Sequence, residues 1–277
     1  GMAAQFSGHA RGKVNLTLRV IGRRANGYHE LHMLLARISL ADAITIAAEE
    51  SSSFSCVCRT FDHSGALMRD LSESTENLAA RAARWCCDYW AKPISLSIEI
   101  TKGIPIAGGL GGASADAALV IRTVAKLLGK SDEIRQPLFF RQVATLGADI
   151  PFFLSDSKWA VVSGIGEVVE PFELAVRKRG LLLIPPFGCS TPEVFAAYRA
   201  LVPNLPDATA VKSSEDRIRL SEGPIADGLL ENSLIDAACA VKPALREILN
   251  ALGDLTDRFG LGSVGMTGSG STLFLVE

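Results

Sequence analysis

The stretch from Leu96 to Gly129 constrains this chain more than any other. Leu96, Ile98 and Ile100 alternate with polar residues, the period of a strand, and Ala118, Ile121, Val124, Ala125 and Leu128 recur on one face of a helix that stops at Gly129. Between them lies Lys102-Gly-Ile-Pro-Ile-Ala-Gly-Gly-Leu-Gly-Gly-Ala-Ser114. Glycines at 108, 109, 111 and 112 admit backbone conformations and close approaches that a Cβ blocks, so successive N–H groups can point at an anion. The helix that follows adds unpaired N–H groups and a partial positive charge. A strand, a glycine loop and a helix in this order make a phosphate site that needs few basic side chains. The same residues also admit a plain tight turn with Ser114 capping the helix. No Gly-Lys-Ser or Gly-Lys-Thr follows at the spacing of a Walker loop, and no βαβ unit with an acidic ribose ligand follows either.

The charge balance agrees with a local anion site. Twenty-eight Lys and Arg against 30 Asp and Glu leave a net charge of -2, which gives no long-range attraction to nucleic acid or an anionic membrane. No apolar run approaches the roughly 18 to 20 residues that span a bilayer. The expected location is the cytoplasm, the expected partners are small molecules, and the expected state is a monomer or weak homodimer. Six cysteines in 277 residues are too sparse for a disulfide framework and are expected to be reduced. Cys56 and Cys58 lack the second pair that a zinc site requires, so no metal ligands are assigned.

Elsewhere the pattern mixes strands and helices without strict alternation, which favours an α+β architecture. Val14, Leu16, Leu18 and Val20 alternate with Lys13, Asn15, Thr17 and Arg19, predicting a half-buried strand with Lys13 and Asn15 on one face. Asn26-Gly27 predicts a turn or hairpin before the run from Leu31 to Ile46. Residues 51–75 read as loops with at most short strands. A helix is predicted from Asn77 until Pro93 stops it, and another from Gln136 to Leu146 with Gly147 as its C-terminal cap. A strand is expected from Trp159 to Val169, ahead of Pro171. The chain starts afresh at Leu181, after a boundary near residue 175, and closes with Gly265-Met-Thr-Gly-Ser-Gly270 and a strand from Thr272 to Val276.

Four ordered segments carry a resemblance: Lys13-Val-Asn-Leu16, Gly22-Arg-Arg-Ala-Asn-Gly-Tyr-His-Glu-Leu31, Gly109-Leu-Gly-Gly-Ala-Ser-Ala-Asp-Ala-Ala118 and Leu146-Gly-Ala-Asp-Ile-Pro-Phe-Phe153. Together they resemble the GHMP small-molecule kinases, and most closely the branch that acts on 4-diphosphocytidyl-2-C-methyl-D-erythritol; Gly268-Ser-Gly270 resembles the superfamily's third motif. The likeness spans residues 10–276. It implies a two-lobed α+β fold, with a ribosomal-protein-like N-terminal lobe over 1–175 and a ferredoxin-like α/β C-terminal lobe over 176–277. It further implies transfer of the ATP γ-phosphoryl group to the 2-hydroxyl of that substrate, with Mg2+ accompanying ATP. By position, Lys13 and Asp149 match the catalytic pair. Asn77, Lys102 and the loop residues Pro105, Ile106, Ala107, Gly108, Gly109, Leu110, Gly111, Gly112, Ala113, Ser114 and Ala115 match nucleotide-contacting positions. Asn15, Tyr28, His29 and Thr191 match substrate-contacting positions, Tyr28 and His29 as the pair that recognises cytosine.

The residues by themselves leave plainer roles open: Asn77 as a helix cap, Lys102 as a strand-end charge, Tyr28 as hairpin packing. Ala113 stands where the branch usually has glycine, and Ala115 where it usually has serine. The sequence stops at Glu277, where such chains commonly continue into another helix, which leaves room for a further tail. Another GHMP kinase acting on homoserine, mevalonate or a sugar is the alternative activity, and a noncatalytic binding module on the same fold is the alternative class.

Overall fold

The alternation around Lys13 belongs to a much longer strand. In the computed structural model, which describes residues 2–68, 77–174, 177–205 and 228–277, β1 (Ala3–Arg23) and β2 (His29–Glu50) form an antiparallel hairpin. The chain reverses through Asn26-Gly27, with Gly27 at φ +90°, a value that a side chain disfavours. Two further strands share the far edge of β2: β4 (Ile94–Thr101) pairs with Ala43–Glu50, and β5 (Trp159–Gly164) pairs with Leu31–Ala36. Outside them lie β3 (Ser55–Phe61), parallel to β4, and β6 (Val168–Phe172), antiparallel to β5. A two-residue strand from the second half, β8 (Glu231–Asn232), completes the seven-stranded sheet by pairing in parallel with Thr17 and Leu18 of β1. A smaller antiparallel sheet has the order β7 (Gly180–Leu183), β10 (Leu273–Val276), β9 (Ser263–Met266).

Two helices cover one face of the large sheet. On α1 (Leu78–Trp90) the buried positions are Ala79, Ala82, Ala83 and Cys86, small enough to let the helix lie close to α2 (Gly112–Leu128), which buries Val120, Ile121 and Val124. These meet Ile44, Ile46, Ile98 and Ile100 from the sheet, and each fully buried aliphatic side chain contributes on the order of 1.5–3 kcal/mol. Among the described residues the other α-helices are α3 (Pro137–Val143), α4 (Ile150–Leu154), α5 (Thr191–Leu201), α6 (Ile235–Val241) and α7 (Ala244–Phe259).

The half-buried reading of β1 needs correction. Lys13, Asn15 and Thr17 are 3%, 1% and 0% exposed, so both faces of this stretch are covered. The pairing register slips between Asn15 and Thr17, an extra residue of the bulge type. Val14 and Leu16 therefore pack in a minor cluster with Leu34, Ile104 and Phe274, while Leu18 and Val20 join the main core. Within residues 51–75, read as loops with at most short strands, 55–61 form the seven-residue β3, whose pairing with β4 supplies what the Ser-rich sequence lacks. Two other expectations shift. The helix after Gln136 ends at Val143, and Gly147 is no cap: it packs tightly against Ile150, whose Cδ1 would lie 2.9 Å from any Cβ there. The single strand expected over 159–169 is a hairpin turning at Gly164 and Gly166, both at positive φ, with Pro171 on the outer strand β6, where a missing N–H is tolerated. The boundary near residue 175 lies outside the described residues. All six cysteines are free, and burial pushes the Cys56 and Cys58 thiols up to about 11 and about 12, away from thiolate character.

Candidate active site

The register slip puts Lys13 and Asn15 beneath the glycine loop. Lys13 Nζ donates to Asn15 Oδ1 at 2.5 Å and to the Gly109 carbonyl at 2.8 Å, and lies 3.9 Å from Asp149 Oδ2. Asp149 immediately precedes α4, whose buried Ile-Pro-Phe-Phe-Leu run fixes where the carboxylate emerges; its side chain is 25% exposed against 3% for Lys13. Burial pushes the Lys13 ammonium below its ordinary value, and the Asp149 charge opposes that shift. The ammonium is thus enclosed, with one carboxylate at its open side.

The glycine loop is held from two directions. Lys13 N donates to the Leu110 carbonyl at 2.9 Å. From the second half, Thr267 Oγ1 donates to the Gly109 carbonyl at 2.8 Å and accepts from Asn15 N at 3.0 Å, and Gly268 N donates to Asn15 Oδ1 at 3.0 Å. A Cβ on Gly109, which sits at φ +77°, would fall 2.1 Å from the Thr267 carbonyl oxygen. Glycine is required there because two backbones touch. Gly111 then serves as N-cap of α2 at φ +69°, with no capping side chain and no acid in the first turn. The tight-turn alternative with Ser114 as cap does not hold, since Ser114 lies inside the helix. The first N–H groups of a 17-residue helix are left for an external acceptor.

The remaining predicted residues divide. Pro105, Ile106, Ala107, Gly108, Leu110, Gly112 and Ala113 follow the loop and first turn, with Ile106, Ala107 and Ala113 exposed. Ala115 faces the hydrophobic core, so a hydroxyl missing there is not missing from the loop's open surface. Thr191 opens α5, and its hydroxyl is 2.8 Å from that of Ser269 in the third glycine motif. His29 is buried against the Phe195 and Tyr198 rings of α5, at centroid distances of 4.8 and 6.4 Å, with Nε2 lacking a partner; Tyr28 beside it is exposed. Burial first, then the Arg199 and Arg23 charges, holds the imidazole below its usual value and therefore neutral near pH 7. Asn77 caps α1 through its Oδ1, 2.9 Å from Ala79 N. Lys102 does not reach toward the loop's open face; its Nζ donates to Asp42 Oδ2 at 2.6 Å. A cavity of about 1420 Å3 lies on the opposite face of β1, lined by Val14, Leu16, Trp159, Phe172, Leu182 and Phe274, away from this convergence.

Residues 77–156, from the cap of α1 past α4, match the family described as GHMP kinases N terminal domain. A 4-diphosphocytidyl-2-C-methyl-D-erythritol kinase of Desulfotalea psychrophila is 31% identical over 99% of this chain and 86% of its own length. That of Syntrophotalea carbinolica is 34% identical over 96% and 87%. The chain belongs to the 4-diphosphocytidyl-2-C-methyl-D-erythritol kinase family. It is an ATP-dependent small-molecule kinase. A crystal structure of a kinase of this family superposes with a TM-score of 0.64 at 33% identity, covering 97% of this chain and 89% of its own. A homoserine kinase of Cytophaga hutchinsonii, at 13% identity and a TM-score of 0.59, shares the fold alone.

Sequence reasoning missed four residues that shape this family's site here. Thr267 was passed over between two glycine positions. Asn232 donates from Nδ2 to the Met266 and Gly268 carbonyls, each at 2.8 Å, and so clamps the third motif; nothing local marks it. Asp42 and Asp116 flank Lys102. Asp42 carried a readable signal, because it shares the inward phase of Ile44, Ile46 and Ala48, where an acid is costly unless paired.

Proposed function

We propose that the chain transfers the γ-phosphoryl group of ATP to the 2-hydroxyl of 4-diphosphocytidyl-2-C-methyl-D-erythritol, a step of the non-mevalonate route to isoprenoid precursors. The observation that carries this reading is the enclosed Lys13 ammonium with Asp149 at its open side, beside the uncapped N-terminus of α2. The phosphates of ATP bind the free N–H groups of the loop and first helical turn, where the helix dipole favours negative charge. The substrate hydroxyl attacks the γ-phosphorus, its proton passes to the Asp149 carboxylate, the bond to the β,γ-bridging oxygen breaks, and ADP leaves. Lys13 offsets charge on the transferring group. Orientation of the hydroxyl by Asp149 matters as much as its basicity, because the transition state is loose.

The substrate's cytosine is recognised at the end of the β1–β2 hairpin. The neutral His29 imidazole, whose buried Nε2 has no protein partner, bonds the base edge once the base displaces the packing of α5 against it, Tyr28 stacks on the face, and Asn15 and Thr191 contact the remainder. Magnesium accompanies ATP. The ion would rest mainly on the ATP phosphates and water, and no step is assigned to protein ligands of it. No helix among the described residues is long and apolar enough to cross a membrane. We place the enzyme in the cytoplasm as a monomer or weak homodimer acting on small molecules, with residues 1–175 and 176–277 as its two lobes.

The test is ATP turnover with magnesium and the diphosphocytidyl substrate, with the product identified. Asp149→Asn and Lys13→Met should each lower kcat by about 100- to 10,000-fold. Turnover with homoserine or mevalonate instead would replace the substrate while keeping the kinase.

A further inference from the structure

We propose that Asp42 and Lys102 form a positioning pair for the phosphate loop, and that Lys102 acts on the nucleotide through the loop rather than by touching it. Backbone pairing between β2 and β4 ends at Ala43 and Thr101. The next residue on β2 continues the contact with its side chain: Asp42 Oδ1 accepts from Gly103 N at 2.8 Å and Ile104 N at 2.9 Å, the first two amides after Lys102. Its other oxygen accepts from Lys102 Nζ at 2.6 Å. One fully buried carboxylate therefore fixes three donors at the root of the loop.

Room for this arrangement comes from glycine. A Cβ on Gly103 would fall 2.1 Å from the Ala41 carbonyl oxygen, and one on Gly112, the first residue of α2, would fall 3.2 Å from Lys102 Nζ. The ammonium thus sits beneath the start of the helix, joining the loop's entry at Gly103 to its exit at Gly112. Were Lys102 to swing away from Asp42 toward a nucleotide, the carboxylate would lose its ion-pair partner at 0% exposure, the arrangement in which a buried ion pair becomes most unfavourable. Nor would the pair attract phosphate by charge, since its two members cancel. Asp116 Oδ2 lies 3.7 Å from the same ammonium, and its Oδ1 is buried without a partner. Burial, more than offsetting the Lys102 charge and joined by the Asp42 charge, holds Asp116 well above the usual carboxylate range. That favours its neutral form, and Asp42, at 2.6 Å against 3.7 Å, is the nearer counter-charge to Lys102.

Steady-state kinetics of Lys102→Met, Asp42→Asn and the double variant separate positioning from contact. Each single change should raise the KM for ATP about tenfold or more, the scale of one charge-assisted hydrogen bond, and the double should be no worse than the poorer single. Affinity for the diphosphocytidyl substrate, measured by calorimetry, should stay near wild type and shows that the variants are folded. Effects that multiply in the double, or an unchanged KM in Asp42→Asn beside a raised one in Lys102→Met, would overturn the proposal. Should Asp42→Asn fail to fold, amide exchange in nucleotide-free Lys102→Met decides. Gly103 and Ile104 should exchange at least about tenfold faster than in wild type; unchanged protection means that Lys102 contacts the nucleotide directly.

Discussion

At the residue scale, burial disfavours the charged forms of side chains in and beside the site. His29 is lowered from the ordinary imidazole value, chiefly by desolvation, so it becomes charged only as pH falls below the range where a free histidine titrates. Affinity for the cytidine-bearing substrate should therefore be flat from pH 7 to 8 and weaken in acid, while the KM for ATP does not follow; parallel pH profiles of the two KM values check this. Asp116 behaves in the opposite sense. Its folded-state value is raised, so the folded chain keeps a proton that the unfolded chain releases above the ordinary carboxylate value of 3.8. Stability is then lost as pH rises from there toward the folded value. Asp116→Asn keeps the shape and removes the titration. Its unfolding midpoint relative to wild type should climb between pH 4 and pH 8, by about 2 to 4 °C per kcal/mol of cost relieved. A constant difference across that range would show Asp116 to be ionised.

At the element scale, α2 offers a test in which stability and function move apart. Its first turn holds no acid, and Ala113 there is exposed. An Ala113→Asp change should stabilise the helix by about 0.3–1 kcal/mol through the dipole, yet raise the KM for ATP, because the new carboxylate occupies the charge environment meant for phosphate. Thermal melts and kinetics on the same sample read both signs. This element was also the most legible part of the sequence, since its apolar period and its glycines are local properties. The hairpin of β5 and β6 was not: Trp159 to Val169 is apolar enough to pass for one strand, and only the positive φ at Gly164 and Gly166 breaks it. Lys13 and Asp149 gained meaning from the resemblance, not from periodicity. The enclosure of Asn15, beside Lys13, was illegible because it comes from Thr267 and Gly268, 252 and 253 residues away.

At the scale of the whole molecule, the second half of the chain reaches into the first through β8 and the third glycine motif. Asn232 links the two, pairing opposite Leu18 as a strand residue while its side chain clamps Met266 and Gly268. Asn232→Leu leaves two carbonyls unpaired, each costing about 1–3 kcal/mol if buried. Loss of the clamp should lower kcat about tenfold with a smaller change in either KM, and a KM effect alone would mean that the clamp serves binding only.

The distance along the chain between Asn15 and its partner at Thr267 also governs when the enzyme can come into being. During synthesis the β1–β2 hairpin and the glycine loop emerge first, whereas Thr267, which donates to the Gly109 carbonyl, follows 158 residues later. Contacts this far apart in sequence close slowly. Until they close, the Gly109 carbonyl and the Asn15 amide oxygen lack their donors from the second half, so the phosphate loop should be less firmly held.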